Sequence, residues 1–285
     1  MQTTKDDDST QKGTHRRTWL RVLIIGLLLY VLGVALVAFT GNSTLFPTVV
    51  LLGSFMVPAA FVTFLYERRG LSDLSLPTTA LSFFWGGVLG VFAASILEPI
   101  FVQGLDVATA FIIGVIEEFA KMLGIFLIAR RRAHNSELNG LILGAAAGMG
   151  FAALESMGYA FNAFLRSGGS LSATVIVMLL RALLSPVGHG TWTAILAGVV
   201  FRESEPDHYR LTRYVLGAYV LVVVLHGLWD AVPLIMAAFL LPGLDVFIGQ
   251  ALVGLAGALI LWWRWRQATQ TNIKEGRAEP AEGVA

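Results

Sequence analysis

Residues 107–129 read VATAFIIGVIEEFAKMLGIFLIA and run directly into Arg130, Arg131 and Arg132. As a helix, a segment of this length rises about 35 Å, enough to cross a hydrocarbon layer about 30 Å thick. It is apolar except at Glu117, Glu118 and Lys121, which stand in its middle. A charge at the bilayer centre costs at least about 2.5 kcal/mol on insertion scales, so such residues turn towards a bundle interior or a wet cavity. The segment therefore reads as one helix of a polytopic bundle with its ionisable face turned inward.

Working outward, apolar runs of similar length fall at 19–39, 48–66, 79–97, 138–164, 172–201, 211–239 and 244–263. None alternates with the period of two that a membrane barrel needs. Of the 285 residues, 56% are hydrophobic and only 14% charged, against about 25% charged in a soluble domain. Mean hydropathy is +0.72. The expected fold is all-α, a membrane bundle of about eight transmembrane helices. Residues 1–18 are expected to be a disordered cytoplasmic N-terminus, 19–265 the transmembrane domain with a candidate functional core at 107–239, and 266–285 a disordered cytoplasmic tail. The first apolar run exceeds the 7–15 residues usual for a signal peptide, so it reads as a retained helix.

Seventeen of the 20 Lys and Arg residues collect at the N-terminus, around Arg68, Arg130 and Arg202, and in the tail. Of the intervening loops, those on the other side carry only Arg166. Cytoplasmic loops gather positive charge, so both termini are expected in the cytoplasm, of a bacterial or archaeal plasma membrane. A net charge of +1 gives no reason to expect nucleic acid as a partner, and the absence of cysteine excludes thiolate chemistry.

The ionisable residues inside the spans are Glu117, Glu118, Lys121, Glu155, Arg181, His189, His226 and Asp230. Glu117 lies 13 residues from Arg130, His189 13 from Arg202 and His226 13 from Arg213. At about 1.5 Å per residue this sets a carboxylate and two imidazoles at one depth. Glu155, Arg181 and Asp230 count slightly farther out and form a supporting layer able to pair internally. Glu117 and Lys121 are an i, i+4 pair. Glu118 points about 100° away from Glu117, so one lysine is not expected to neutralise both carboxylates.

His189 follows Pro186, Val187 and Gly188, where the proline removes a backbone donor and can kink the helix. His226 and Asp230 share one helical face, so the carboxylate can orient the ring or join the site. Gly140, Gly144 and Gly148 form a small-residue stripe for helix packing, and Glu155 continues its face.

Glu-Glu-x-x-Lys at 117–121, the glutamate at 155 in a glycine-rich helix, the histidine at 189 and His-x-x-x-Asp at 226–230 resemble the PrsW-type membrane proteases. That family sits within the superfamily of type II CAAX prenyl endopeptidases and bacteriocin-processing enzymes. The resemblance covers about residues 80–239. The superfamily's usual motifs are Glu-Glu-x-x-x-Arg and His-x-x-x-Asn, and the departures at Lys121 and Asp230 fit the PrsW branch better. It implies an intramembrane endopeptidase acting on a membrane-anchored protein or peptide, such as an anti-sigma factor.

Peptide hydrolysis needs an activated water, a polarised carbonyl and a proton for the leaving amine. The candidate catalytic residues are Glu117 as general base, His189 positioning the water, His226 at the oxyanion, and Glu118. Lys121, Glu155, Arg181 and Asp230 support them. Glu117, His189 and His226 equally form a two-histidine, one-glutamate ligand set for Zn2+, although HExxH is absent. Rhomboid-like Gly-x-Ser-Gly and presenilin-like Gly-x-Gly-Asp are missing, while Ser185 beside Pro186 leaves a serine–histidine pair open. An ion- or proton-coupled transporter and a non-catalytic scaffold subunit are the competing readings.

Overall fold

The computed structural model describes residues 17–70, 72–104, 106–129, 136–205, 208–236 and 244–278. The expected disorder of residues 1–16 and the arginines at 130–132 lie outside these. Among the described residues there is no strand, and the helices are α1 (Thr18–Thr40), α2 (Phe46–Glu67), α3 (Leu76–Phe101), α4 (Val107–Ala129), α5 (Glu137–Arg166), α6 (Leu171–Leu184), α7 (His189–Glu203), α8 (Arg213–Met236) and α9 (Leu244–Ala278).

Among the described residues, seven helical segments are long and apolar enough to cross a membrane: α1, α2, α3, α5, the α6–α7 pair, α8 and α9. The chain is an all-α, multi-pass membrane protein. α4 has 23 residues, as many as α1. Glu117, Glu118 and Lys121 set it apart from the seven by composition, not by length.

α5 is the axis of the bundle, with 83% of its most apolar stretch buried. It packs most extensively on α7 and α3, then on α2 and α6. Its glycine stripe makes this possible. A Cβ at Gly140 would lie 2.8 Å from the carbonyl carbon of Ala197, and one at Gly148 2.8 Å from that of His189. Only a bare backbone lets α7 approach so closely. α4 is clasped between α3 and α8, while α1 leans on α2 and is exposed over most of its length.

Two expected spans differ from the observed helices. The run at 172–201 is not continuous, because α6 ends at Leu184 and a short 3-10 turn at Ser185–Val187 precedes α7. Pro186 cannot supply the amide that would carry α6 onward, and Gly188 takes φ −101°, ψ −116°. His189 thereby becomes the first residue of a new helix. α9 does not end near 265 but continues to Ala278. Arg264 forms an ion pair with Glu137, and Ser136 Oγ donates to Asn272 Oδ1 at 3.3 Å, tying the extension to the start of α5.

Candidate functional site

α4 begins with a reciprocal cap. The amide of Thr109 donates to Asp106 Oδ1 at 2.8 Å, and that of Asp106 to Thr109 Oγ1 at 2.7 Å. Two turns on, Gly114 lets α8 approach near His226. This fixes α4 against α8 just where Glu117 and Glu118 project.

Lys121 is fully buried and uses all three ammonium protons. Its Nζ donates to Glu118 Oε1 at 2.8 Å, Glu117 Oε2 at 3.1 Å and His189 Nδ1 at 2.9 Å. The expectation that one lysine could not serve both glutamates is therefore corrected. On the helical wheel Lys121 falls about 40° past Glu117, between it and Glu118, so its long stem reaches either. Phe151 covers the ammonium, with its ring centre 4.2 Å away.

Glu118 is completely enclosed. Besides Lys121, it accepts from His226 Nδ1 at 3.0 Å and Thr193 Oγ1 at 3.0 Å. A carboxylate so engaged orients its neighbours. Glu118 thus orients the His226 ring, and Asp230, expected either to orient the ring or to join the site, lies 3.6 Å from the other ring nitrogen, Nε2.

His189 is held in the same manner. An ammonium can only donate, so Nδ1 facing Lys121 is unprotonated and Nε2 carries the hydrogen. That hydrogen points at Glu155 Oε2, 3.0 Å away. Glu155 Oε2 also accepts from Arg181 Nη2 at 2.6 Å, Arg181 Nε donates to Ser156 Oγ at 3.0 Å, and the guanidinium lies over the Tyr159 ring at 4.0 Å. Glu155 and Arg181 pair as expected, without Asp230.

Each histidine therefore has one ring nitrogen fixed by its own carboxylate and the other turned towards Glu117. His226 Nε2 is 3.6 Å and His189 Nδ1 3.8 Å from Glu117 Oε2. One donor atom from each of Glu117, His189 and His226 falls within 4.8 Å of the others. Two donors about 2.1 Å from a common zinc lie at most about 4.2 Å apart, so both glutamate–histidine separations suit one ion. Ligating histidines characteristically have their second nitrogen held by a carboxylate, and both do here. The three residues fit a metal, and the Lys121 ammonium lies beside them against Glu117 and His189.

A cavity of about 280 Å³ opens beside this cluster, lined by Glu117, His189, His226, Glu155, Arg181 and Asp230 among others. Glu118 and Lys121 stand behind its wall. Ser185 donates its hydroxyl to the carbonyl of Ala182 at 3.2 Å, which gives no support to a serine–histidine pair.

Several contributors escaped the sequence reading. Glu98, one residue past the apolar run at 79–97, sits in α3 and lines the cavity; its place just beyond the run concealed it. Thr193 is four residues beyond His189 and Tyr159 four beyond Glu155, so a helical-face search from the known residues would have found both. Trp192, whose ring centre is 4.7 Å from that of His226, carried no such signal.

A family model described as PrsW family intramembrane metalloprotease matches residues 75–263. The chain belongs to this family. The PrsW match takes in all the clustered residues and extends past the expected 80–239 into α9. The chain is also 27% identical over 220 residues to Protease PrsW of Halalkalibacterium halodurans, an alignment covering 75% of this chain and 92% of that protein. No solved structure matches the chain. As a PrsW-family member it is an intramembrane protease, which sets aside the transporter and scaffold readings.

Proposed function

We propose that the chain hydrolyses a peptide bond of a membrane-anchored protein or peptide in the cavity bounded by Glu117, His189 and His226. The observation carrying this reading is the convergence of two separately oriented histidines on one glutamate oxygen. Glu117 is the carboxylate of α4 that faces the cavity, and it abstracts or orients the proton of the attacking water. His226, with its Nδ1–H fixed by Glu118, presents Nε2 to the reacting carbonyl region. His189, with Nε2–H fixed by Glu155, turns its unprotonated Nδ1 to Glu117, from which it takes the proton of the attacking water and delivers it to the leaving amine. Arg181 holds Glu155 in place.

With the family's metal bound, Glu117, His189 and His226 would be its ligands instead of base and proton carriers, and a borderline nitrogen–oxygen donor set suits Zn2+. Zinc supplies a lowered pKa for bound water and polarises a carbonyl.

α4 serves as the eighth span, with both termini in the cytoplasm, as the charge distribution supports. The bacterial relative supports a bacterial plasma membrane. The substrate is a regulatory membrane protein of the anti-sigma type. Purified chain in proteoliposomes, given single-span peptides, tests the reaction. Cleavage is expected for the native chain and not for Glu117→Ala or His226→Ala; unchanged cleavage by Glu117→Ala defeats the assignment. Metal analysis of the same sample tests the ligand set.

A further inference from the structure

Adjoining the catalytic cavity is a second one of about 230 Å³. Val177, Leu180 and Leu184 of α6 form one wall, with Trp229 of α8 and Gln250 of α9 opposite. Both cavities are bordered by Tyr159, Arg181, His189, Trp229 and Gln250, so the second opens directly beside the histidine that faces Glu117.

α6 is built for this arrangement. Thr174, Met178 and Ala182 form its buried stripe, consistent with its packing on α5 and α2. Ile176, Leu179 and Leu183 form an exposed stripe. Val177, Leu180 and Leu184 form a third stripe at helical spacing, half-buried and turned to the cavity. The turn at Ser185–Val187 ends this wall at His189, which places the apolar stripe and the histidine side by side.

We propose that this second cavity is the specificity pocket, receiving the apolar side chain of the substrate residue adjacent to the scissile bond. The proposal rests on the peptidase reading. An apolar cavity of about 150 Å³ accepts benzene, so this one takes a leucine-, methionine- or phenylalanine-sized group. A peptide suits the site better than a lipid acyl chain. The shared border carries Arg181, His189 and Gln250, polar groups that an acyl chain leaves without partners and a peptide backbone can satisfy.

The test uses the purified full-length chain in proteoliposomes with a pool of synthetic single-span peptides randomised at their central positions, the products being sequenced by mass spectrometry. The native chain is expected to enrich leucine, methionine or phenylalanine at one fixed position beside the cut. Leu180→Trp or Leu184→Trp fills the cavity and shifts that preference to glycine, alanine or serine by on the order of tenfold or more, since single methylene groups in such pockets discriminate by about 10–200-fold. Leu180→Ala widens the cavity and moves the preference the other way, towards tryptophan. Leu183→Trp, on the exposed stripe, leaves rate and preference as in the native chain.

A flat preference in the native chain overturns the pocket and leaves the peptidase reading standing. So does a preference that Leu180→Ala does not move, or a phospholipid that co-purifies with the native chain and is lost from Leu184→Trp without a change in preference. Absence of any cleavage by the native chain overturns the peptidase reading and the pocket with it.

Discussion

Replacing Gly148 by alanine probes how tightly the packing of α5 on α7 fixes the site. The new methyl group would lie 2.8 Å from the carbonyl carbon of His189, nearer still to its oxygen, and 3.0 Å from Thr193 Oγ1. Ordinary contact begins at 3.4 Å, so the helices must part by at least 0.6 Å and, with the oxygen included, by on the order of 1 Å. The displaced residues are His189, which faces Glu117, and Thr193, which holds Glu118. A misplacement of about 1 Å can reduce turnover by roughly 100-fold, and overpacking costs about 1–3 kcal/mol of stability. Gly140→Ala is the matched control. Its methyl would meet the carbonyl carbon of Ala197 at the same 2.8 Å, two turns away from the histidine. Both variants are expected to lower the thermal midpoint alike, while peptide cleavage in proteoliposomes falls about 100-fold for Gly148→Ala and only a few-fold for Gly140→Ala. Equal activity in the two variants at equal stability refutes the claim that this interface positions the site.

Glu118→Gln removes the charge that holds His226 and Lys121, and metal affinity measured by competition with a chromophoric chelator should fall by about 10–100-fold; no change implies that Asp230 orients the ring after all. At the start of α4, amide and hydroxyl donors of Thr109 lower the carboxyl pKa of Asp106. Its stabilisation is therefore present above the ordinary carboxylate value and is lost as pH falls through the lowered one. Asp106→Ala should reduce the thermal midpoint at neutral pH, the difference closing on acidification; a difference independent of pH rejects the cap. Arg264→Gln removes the ion pair with Glu137, and limited trypsin treatment should cut α9 at Lys274 faster than in the native chain.

The all-helical fold was legible because the apolar runs state it directly, and counting from the arginines set Glu117, His189 and His226 at one level without any contact information. That count works because helices have a constant rise, and α7 remains regular from His189 to Glu203. What could not be read was direction around each helix. The wheel angle between Glu117 and Glu118 was correct, yet it hid Lys121, whose flexible stem spans the gap between them. Likewise His226 has carboxylates on both sides, Glu118 across the helix interface and Asp230 on its own helix, and only tertiary packing shows that Nδ1 faces the former. Sequence proximity pointed to Asp230 and could not reveal Glu118. The break after α6 was foreshadowed by Pro186, but its consequence, an apolar wall ending at the histidine, depends on where α8 and α9 lie.

The formal charges of the site lead to one more expectation. Glu98, Glu117, Glu118, Glu155 and Asp230 surround His189 and His226, while Lys121 and Arg181 supply the fixed positive charges. Five carboxylates against two cations leave three negative charges in excess, in surroundings where unpaired charge is costly. A divalent cation at Glu117, His189 and His226 cancels two of the three, as do protons on Glu117 and Asp230, which leave Glu118 and Glu155 holding the imidazoles. Ion binding to the folded chain should therefore raise stability, by about 2.7 kcal/mol at a free concentration a hundred times the dissociation constant. The thermal midpoint of chelator-treated protein is expected to rise on adding Zn2+, with Glu117→Gln and His226→Ala each abolishing the rise and Leu183→Trp preserving it. If the midpoint ignores the ion and cleavage proceeds fully in chelator, the excess charge is balanced by protons, and Glu117 acts on water as a general base without a metal beside it.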